Sequence, residues 1–267
     1  MRANILTIYV IGVLVFLAAP VLIVIPSAFG QEATLAFPPV GFTFKWFGNI
    51  LAHPELISAF GNSVAIALMA TAVSLVVGTM TVLALRRYDF PGREVLRMLF
   101  LAPLVCPAIV LATAVAMVLS PLGLIRTFTG LVVAHTLVTL PYIVRTVGAS
   151  LAGLDVALEE AALTLGANPW QRFRTITLPL LGSGLLVGAT FSLIISFDEF
   201  TLSLFIVGNG MMTLPLEMFN YVEFSIDPTI AAVSTILVLI TTAAILLIER
   251  FGGLGRQFGQ SASGGAR

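Results

Sequence analysis

The chain has little charge. Of its 267 residues only 10% are Asp, Glu, Lys or Arg, and the formal net charge is zero. Soluble domains carry roughly 25% charged residues. A balanced, sparse charge set offers no electrostatic footprint for nucleic acid, so none is expected as a partner. A single cysteine, Cys106, excludes an intrachain disulfide and a cysteine-rich metal site. A single lysine, Lys45, stands outside any glycine-rich context. A P-loop places a lysine on the β/γ-phosphates, so this chain does not hydrolyse ATP by that route. Two histidines, His53 and His135, lie on different stretches of chain. His135 stands alone among apolar residues and reads as a satisfied intramembrane histidine. Gly182-Ser183-Gly184 lacks a G-x-S-x-G context and reads as small-residue helix packing, not a serine protease. No catalytic residue, metal site or cofactor is expected in this chain.

What the chain has is apolar length. Hydrophobic residues make up 58%, and the mean hydropathy is +1.07. Uncharged runs cover Ala3–Gln31, Leu56–Leu85, Met98–Ile125, Thr127–Val144, Thr175–Phe197 and Pro228–Ile248. Crossing hydrocarbon as a helix takes about 20 residues, and only helices or closed barrels satisfy their own backbone there. Runs this long and continuous do not suit barrel strands. The chain therefore reads as an all-α membrane protein with six transmembrane helices, at 5–30, 60–85, 98–120, 125–145, 180–200 and 228–249. The first run is too long for a signal peptide and reads as a retained helix. Phe200–Leu216 holds Gly208, Asn209, Gly210 and Pro215 and reads as a broken or re-entrant piece. Asn62 or Ser63 is expected to cap the second helix, and Asp227-Pro228 to start the sixth. Residues 255–267 are expected to be a disordered tail.

Arginine placement orients the helices. With the N-terminus inside, eleven of the thirteen basic residues fall on the cytoplasmic side, leaving Lys45 and Arg126 outside. That bias places both termini in the cytoplasm. It also places there the segment 153–179, between the fourth and fifth spans.

That segment is built like two short helices. Asp155 can cap a helix from Val156 to Leu165, with Leu158, Ala161, Ala162 and Leu165 on one face. Gly166 suits a left-handed position after it. Asn168-Pro169 suits the N-cap and first residue of a second helix. An amphipathic loop on lipid headgroups is the plain alternative. Two alanines between leucines make a poor lipid anchor, whereas small residues let another surface approach closely. A protein partner fits the composition better.

Glu160-Ala161-Ala162, three residues, Gly166, nine residues, then Ile176-Thr177-Leu178-Pro179 match the EAA motif in identity and spacing. The chain thereby resembles the permease subunits of binding-protein-dependent ABC importers. FPPVGFTFKWF (37–47), SFDEFTLSLFIVG (196–208) and TLPLEMFNYVEFSIDPTIAAVSTI (213–236) resemble the spermidine/putrescine branch. The resemblance implies a type I ABC importer permease fold in a bacterial inner membrane, and a polyamine as substrate. An opine, another amine or an aminophosphonate is the alternative. It implies a second permease chain as heterodimer partner, two ATP-binding subunits that hold ATP and Mg, and a periplasmic binding protein. It implies that Glu160, Ala161, Ala162, Gly166, Ile176, Leu178 and Pro179 couple the chain to the ATPase.

From Asp198 to Asp227 there are five acids and no base. Asp198 and Glu199 follow 23 uncharged residues and sit near membrane depth. An acid at the centre of a lipid-facing helix costs about 2.5–3.5 kcal/mol on insertion scales, so such residues normally face a cavity or a bundle interior. They are candidates for a cation-attracting path, with a purely structural polar contact as the alternative. A rival reading, an ion-coupled secondary transporter, would use the same two acids without an ATPase. The EAA match speaks against it.

Overall fold

The computed structural model describes residues 2–208 and 210–252, and every regular element among them is helical. In order they are α1 (Arg2–Ser27), α2 (Lys45–Asn49), α3 (Pro54–Arg87), α4 (Arg93–Leu101), α5 (Ala108–Leu119) and α6 (Phe128–Ala152). After these come α7 (Val156–Thr164), α8 (Pro169–Arg172), α9 (Leu178–Asp198), α10 (Thr201–Ile206), α11 (Leu214–Phe224) and α12 (Thr229–Gly252). Among the described residues, five stretches are long and apolar enough to cross a membrane: Ile5–Ser27, Pro54–Arg87, Phe128–Ala152, Pro169–Asp198 and Thr229–Leu246. The expected tail, 255–267, lies outside the described residues.

The run Met98–Ile125 does not form one rod. Its first arm begins earlier, at Arg93, and the axis turns by 112° between Leu104 and Ala108. Pro103 and Pro107 sit at the break. Each removes a backbone N–H, and the ring of Pro107 disfavours a helical Cys106. The span expected at 98–120 is therefore a bent pair of helices.

The second span also starts earlier than its expected cap. Pro54 opens α3, where a fixed φ and a missing N–H cost nothing. Asn62 and Ser63 thus lie inside α3 and do not cap it. Their side chains turn to the chain ahead of α11. Asn62 Nδ2 donates to the Met212 carbonyl at 3.0 Å, and Ser63 Oγ accepts from the Leu214 N–H at 2.8 Å. The broken piece expected at 200–216 is realised as α10, an irregular stretch with Gly210 at φ +79°, and the start of α11.

Two compact units divide the chain. One holds the residues up to Ser58 together with Glu217–Leu247. Its core is Ala28, Trp46, Ala231 and Ala232, and Trp46 Nε1 donates to the Gly30 carbonyl at 2.7 Å. Asp227 caps α12 as expected, accepting from the Thr229 N–H at 2.8 Å and from the Tyr221 hydroxyl at 2.9 Å. Burial pushes the Asp227 carboxyl up, but the two Thr229 hydrogen bonds and the Tyr221 hydroxyl outweigh it and hold the group below its ordinary range. Most side chains of α1 are exposed and apolar, a surface suited to lipid or to another apolar helix.

The other unit, Ala59–Leu216, is organised around α6. Leu140, Ile143, Val144, Val147 and Leu151 of α6 are buried with Val82 and Leu181. Lipid tails are as apolar as leucine, so helices in a membrane associate through close packing and interhelical hydrogen bonds. Both devices are present. Gly184, Gly188, Ser192 and Ser196 form a buried i, i+4 stripe on α9. A Cβ added at Gly188 would overlap Thr146 and Ile143, and one at Gly184 would overlap Ser150 and the Thr146 carbonyl. Thr71 of α3 donates to Ser192 at 2.9 Å, and Ser74 of α3 lies 2.7 Å from the Thr139 hydroxyl on α6.

Candidate functional site

The segment between α6 and α9 carries the candidate coupling residues, and short-range chemistry shapes it. Asp155 Oδ1 accepts the Ala157 N–H at 2.9 Å and starts α7. At the other end Leu165 is the C-cap, and Gly166 follows with φ +82°. The Gly166 N–H donates to the Leu163 carbonyl at 2.9 Å and the Ala167 N–H to the Ala162 carbonyl at 3.0 Å. That pair of bonds is a complete Schellman motif. Asn168 then accepts the Gln171 N–H, while the Gln171 side chain accepts the Asn168 N–H, both at 2.9 Å. Pro169 fills the first helical position inside this capping box. Every residue of the turn from Leu165 to Asn168 is therefore committed to a cap, and the angle between α7 and α8 is set by hydrogen bonds.

The surface of this element is apolar and open. Leu165 is 87% exposed and Trp170 65%, and Leu158 and Leu163 are also exposed. Ala162 alone of the alanine face is buried, while Ala161 and Glu160 face outward. The expected face thus splits: Ala162 seats α7 on its own chain, and the leucines remain available to another surface.

Beyond α8 the helix widens. Residues Phe173–Thr177 form a π-helical turn in which the Leu178 N–H donates to the Phe173 carbonyl. Pro179 explains it. A proline lacks the N–H that would reach the carbonyl of Thr175, and its ring crowds that turn. An extra residue per turn relieves the crowding. Ile176, Leu178 and Pro179 therefore sit at the root of α9, with Ile176 half-buried and the other two exposed.

Two contacts that the sequence did not single out fasten this segment. The Arg86 guanidinium of α3 donates to the Leu151 carbonyl at 2.6 Å and to the Leu154 carbonyl at 3.3 Å. It thereby satisfies the carbonyl end of α6. The Thr177 hydroxyl donates to Glu159 Oε1 at 2.8 Å. The only sequence signal for the second contact was Pro179, which marks a defect in the helix without naming its partner.

The acids at the other end of α9 separate. Asp198 ends α9 and is exposed. Glu199 is half-buried, and its Oε1 accepts the Leu202 N–H at 3.0 Å, capping α10. Glu217, Glu223 and Asp227 belong to the other compact unit. Within that unit burial, and then the Glu55 carboxylate, push Glu217 above its ordinary range. His135 is 1% exposed, with Nδ1 2.9 Å from Ser196 Oγ and Nε2 3.1 Å from Ser203 Oγ. Both ring nitrogens are used, so the ring joins α6 to α9 and α10 and is not free to bind a ligand. Among the described residues no group of three His, Cys, Asp or Glu side chains could hold a metal ion.

Three comparisons bear on this geometry. The profile of the family described as "Binding-protein-dependent transport system inner membrane component" matches residues 78–253, which include the whole segment. The chain is similar to the spermidine/putrescine transport system permease protein PotC of Haemophilus influenzae, at 30% identity over 234 residues, or 88% of this chain and 91% of that protein. It is similar to the putrescine transport system permease protein PotI of Escherichia coli, at 28% identity over 229 residues, or 83% of this chain and 81% of that protein. Its fold is similar to a chain in the crystal structure of a bacterial ABC transporter that imports the acidic polysaccharide alginate. The TM-score is 0.74 and the identity 14%, covering 94% of this chain and 96% of that one.

Proposed function

This chain belongs to the family of binding-protein-dependent transport system inner membrane components, and from that premise we propose that it is a permease subunit of an ATP-driven importer of polyamines. The observation that carries the reading is the element between α6 and α9. It is a rigid, fully capped helix–turn–helix that exposes Leu158, Leu163, Leu165 and Trp170 on a chain without a P-loop. Such an element needs an outside partner, and an ATP-hydrolysing subunit with a matching groove is the partner that fits. ATP and its magnesium belong to that subunit.

In operation the chain pairs with a second permease, and two ATPase subunits dock below them. Closure of the ATPases moves α7 and α8. The movement reaches α9 and, through its packing on α6, the rest of the bundle, so that access alternates between the two sides. A periplasmic binding protein delivers the substrate. The arginine bias supports cytoplasmic positions for both termini and for the docking segment.

The relatives named for spermidine and putrescine support a polyamine as substrate. So does the charge of the outer segments, where 198–227 carries five acids and no base. Acids without bases raise the local concentration of a polycation and repel a phosphonate.

The test is uptake by the purified complex in liposomes, with ATP on the ATPase side and the binding protein outside. Labelled spermidine and putrescine should enter only with ATP, and collapsing the proton gradient should change nothing. Uptake driven by the proton gradient without ATP would overturn the reading in favour of secondary transport. Uptake of 2-aminoethylphosphonate alone would overturn the substrate class.

A further inference from the structure

The two consecutive acids of α7 have different surroundings. Successive residues on a helix point about 100° apart, and here Glu160 faces outward while Glu159 is half-buried. Glu159 Oε1 accepts the Thr177 hydroxyl at 2.8 Å, across 18 residues of chain. Thr177 is 2% exposed. Its choice of partner departs from the habit of threonine in this fold. The hydroxyls of Thr113, Thr136, Thr146 and Thr190 all donate back to the carbonyl four residues earlier, the usual bond for threonine in a helix. Thr177 lies in the π-helical turn and directs its proton to a carboxylate on another helix. Hydrogen bonds to an ionised acceptor are shorter and stronger than neutral ones.

The bond sits where a load would pass. α7 is held at its start by Arg86, through the Leu154 carbonyl just ahead of it. Its middle is held by Glu159 to the root of α9. Between α8 and α9 the chain is a π-helical turn, which interrupts the regular i→i−4 ladder and is a place where helices bend. A push on α7 relayed only through that turn would be partly absorbed by it. The Glu159–Thr177 bond spans most of the turn and ties α7 to its last residue, Thr177, which is also the N-cap of α9.

We propose that Glu159 and Thr177 are positioning residues that form an internal clasp, passing the displacement of the docked segment into α9, while Glu160 faces the ATPase. The proposal rests on the reading of the segment as the ATPase joint. The clasp sets how much transport each hydrolysis event yields, and it does not set whether the ATPase binds or turns over.

The experiment measures ATP hydrolysis and labelled spermidine uptake on the same liposomes, using the complete complex with its binding protein. Thr177→Val keeps volume and branching and removes the donor. It should assemble and hydrolyse ATP at the parental rate, while uptake per ATP falls roughly five-fold, the factor equivalent to about 1 kcal/mol for one hydrogen bond. Thr177→Ser retains the donor and should restore the ratio. Glu159→Ala should behave as Thr177→Val does, and the double variant should be no worse than either single change. An unchanged ratio in Thr177→Val overturns the clasp. So does a loss in Thr177→Ser equal to that in Thr177→Val, or single losses that multiply in the double variant. If Thr177→Val and Glu159→Ala both fail to assemble while Thr177→Ser assembles, the bond is a folding contact and the proposal is wrong. Absence of ATP-dependent uptake in the unmodified complex overturns the functional reading itself, an outcome distinct from all of these.

Discussion

Gly166 carries the sharpest perturbation because its environment isolates one variable. Its φ is +82°, and a Cβ built there meets nothing within 4 Å. Substitution therefore brings no steric clash with the rest of the chain, only the local cost of a left-handed residue. For an L-residue that cost is roughly 1–2 kcal/mol, and β-branched side chains sit at or above its upper end. Two Schellman bonds, from Gly166 and Ala167, depend on the conformation. The strain is relieved if the last turn of α7 frays, but then Leu165 and α8 leave their places. Docking restores the geometry and must meet the strain again. At 1.4 kcal/mol per tenfold, Gly166→Ala should weaken ATPase-subunit binding about five-fold and Gly166→Val about thirty-fold. Gly166→Asn, which tolerates the left-handed region, should lie near the parent. The assay is retention of the ATPase subunit by the detergent-solubilised permease pair, titrated with the soluble subunit. Equal affinity for the Gly and Val forms, or an order other than Gly, Asn, Ala, Val, would refute the argument that this turn is held in shape for docking.

Topology can be read with an impermeant thiol reagent on intact cells in a Cys106→Ser background. Cysteines at Arg87 and Gln171 should stay unlabelled and one at Lys45 should react, and the reverse pattern would invert the chain. Asp198→Asn should slow polyamine uptake without affecting assembly, because the acid is exposed and no hydrogen bond depends on it among those described. Glu199→Gln retains an acceptor for the Leu202 N–H, whereas Glu199→Ala loses a cap worth about 1 kcal/mol and should lower the thermal midpoint; normal uptake in Asp198→Asn would remove that acid from the path. His135→Ala strips a partner from both Ser196 and Ser203, and should destabilise the complex by about 1–3 kcal/mol. An unchanged melting curve would mean that the ring is not the joint between α6, α9 and α10.

The local chemistry of the coupling segment was legible because each signal acts within a few residues of itself. Asp155, Gly166 and Asn168-Pro169 cap or turn the chain at their own positions, and the structure uses each one so. The helical class followed from run length alone. What was hidden depends on partners distant in sequence. Asn62 and Ser63 looked like caps because their residue type suits one, yet they serve the start of α11, about 150 residues away. The 112° bend inside Met98–Ile125 is invisible to a charge count, which sees an uncharged run whether it is straight or folded. Pro103 and Pro107 were the available sign, but a proline in a membrane helix more often kinks it than ends it. Asp198 and Glu199 were indistinguishable in sequence, and only the path of the chain after α9 makes one a cap and leaves the other exposed.

If the segment is a docking joint, the exposed leucines of α7 and its turn face a protein and not a lipid surface. A photoreactive amino acid at Leu165, the most open of them at 87% exposure, measures this directly in native membranes. One dominant adduct should form, of the permease with the ATP-hydrolysing subunit, its yield changing when a non-hydrolysable nucleotide is added. Adducts with phospholipid alone, at a yield indifferent to the ATPase subunit and to nucleotide, would contradict it.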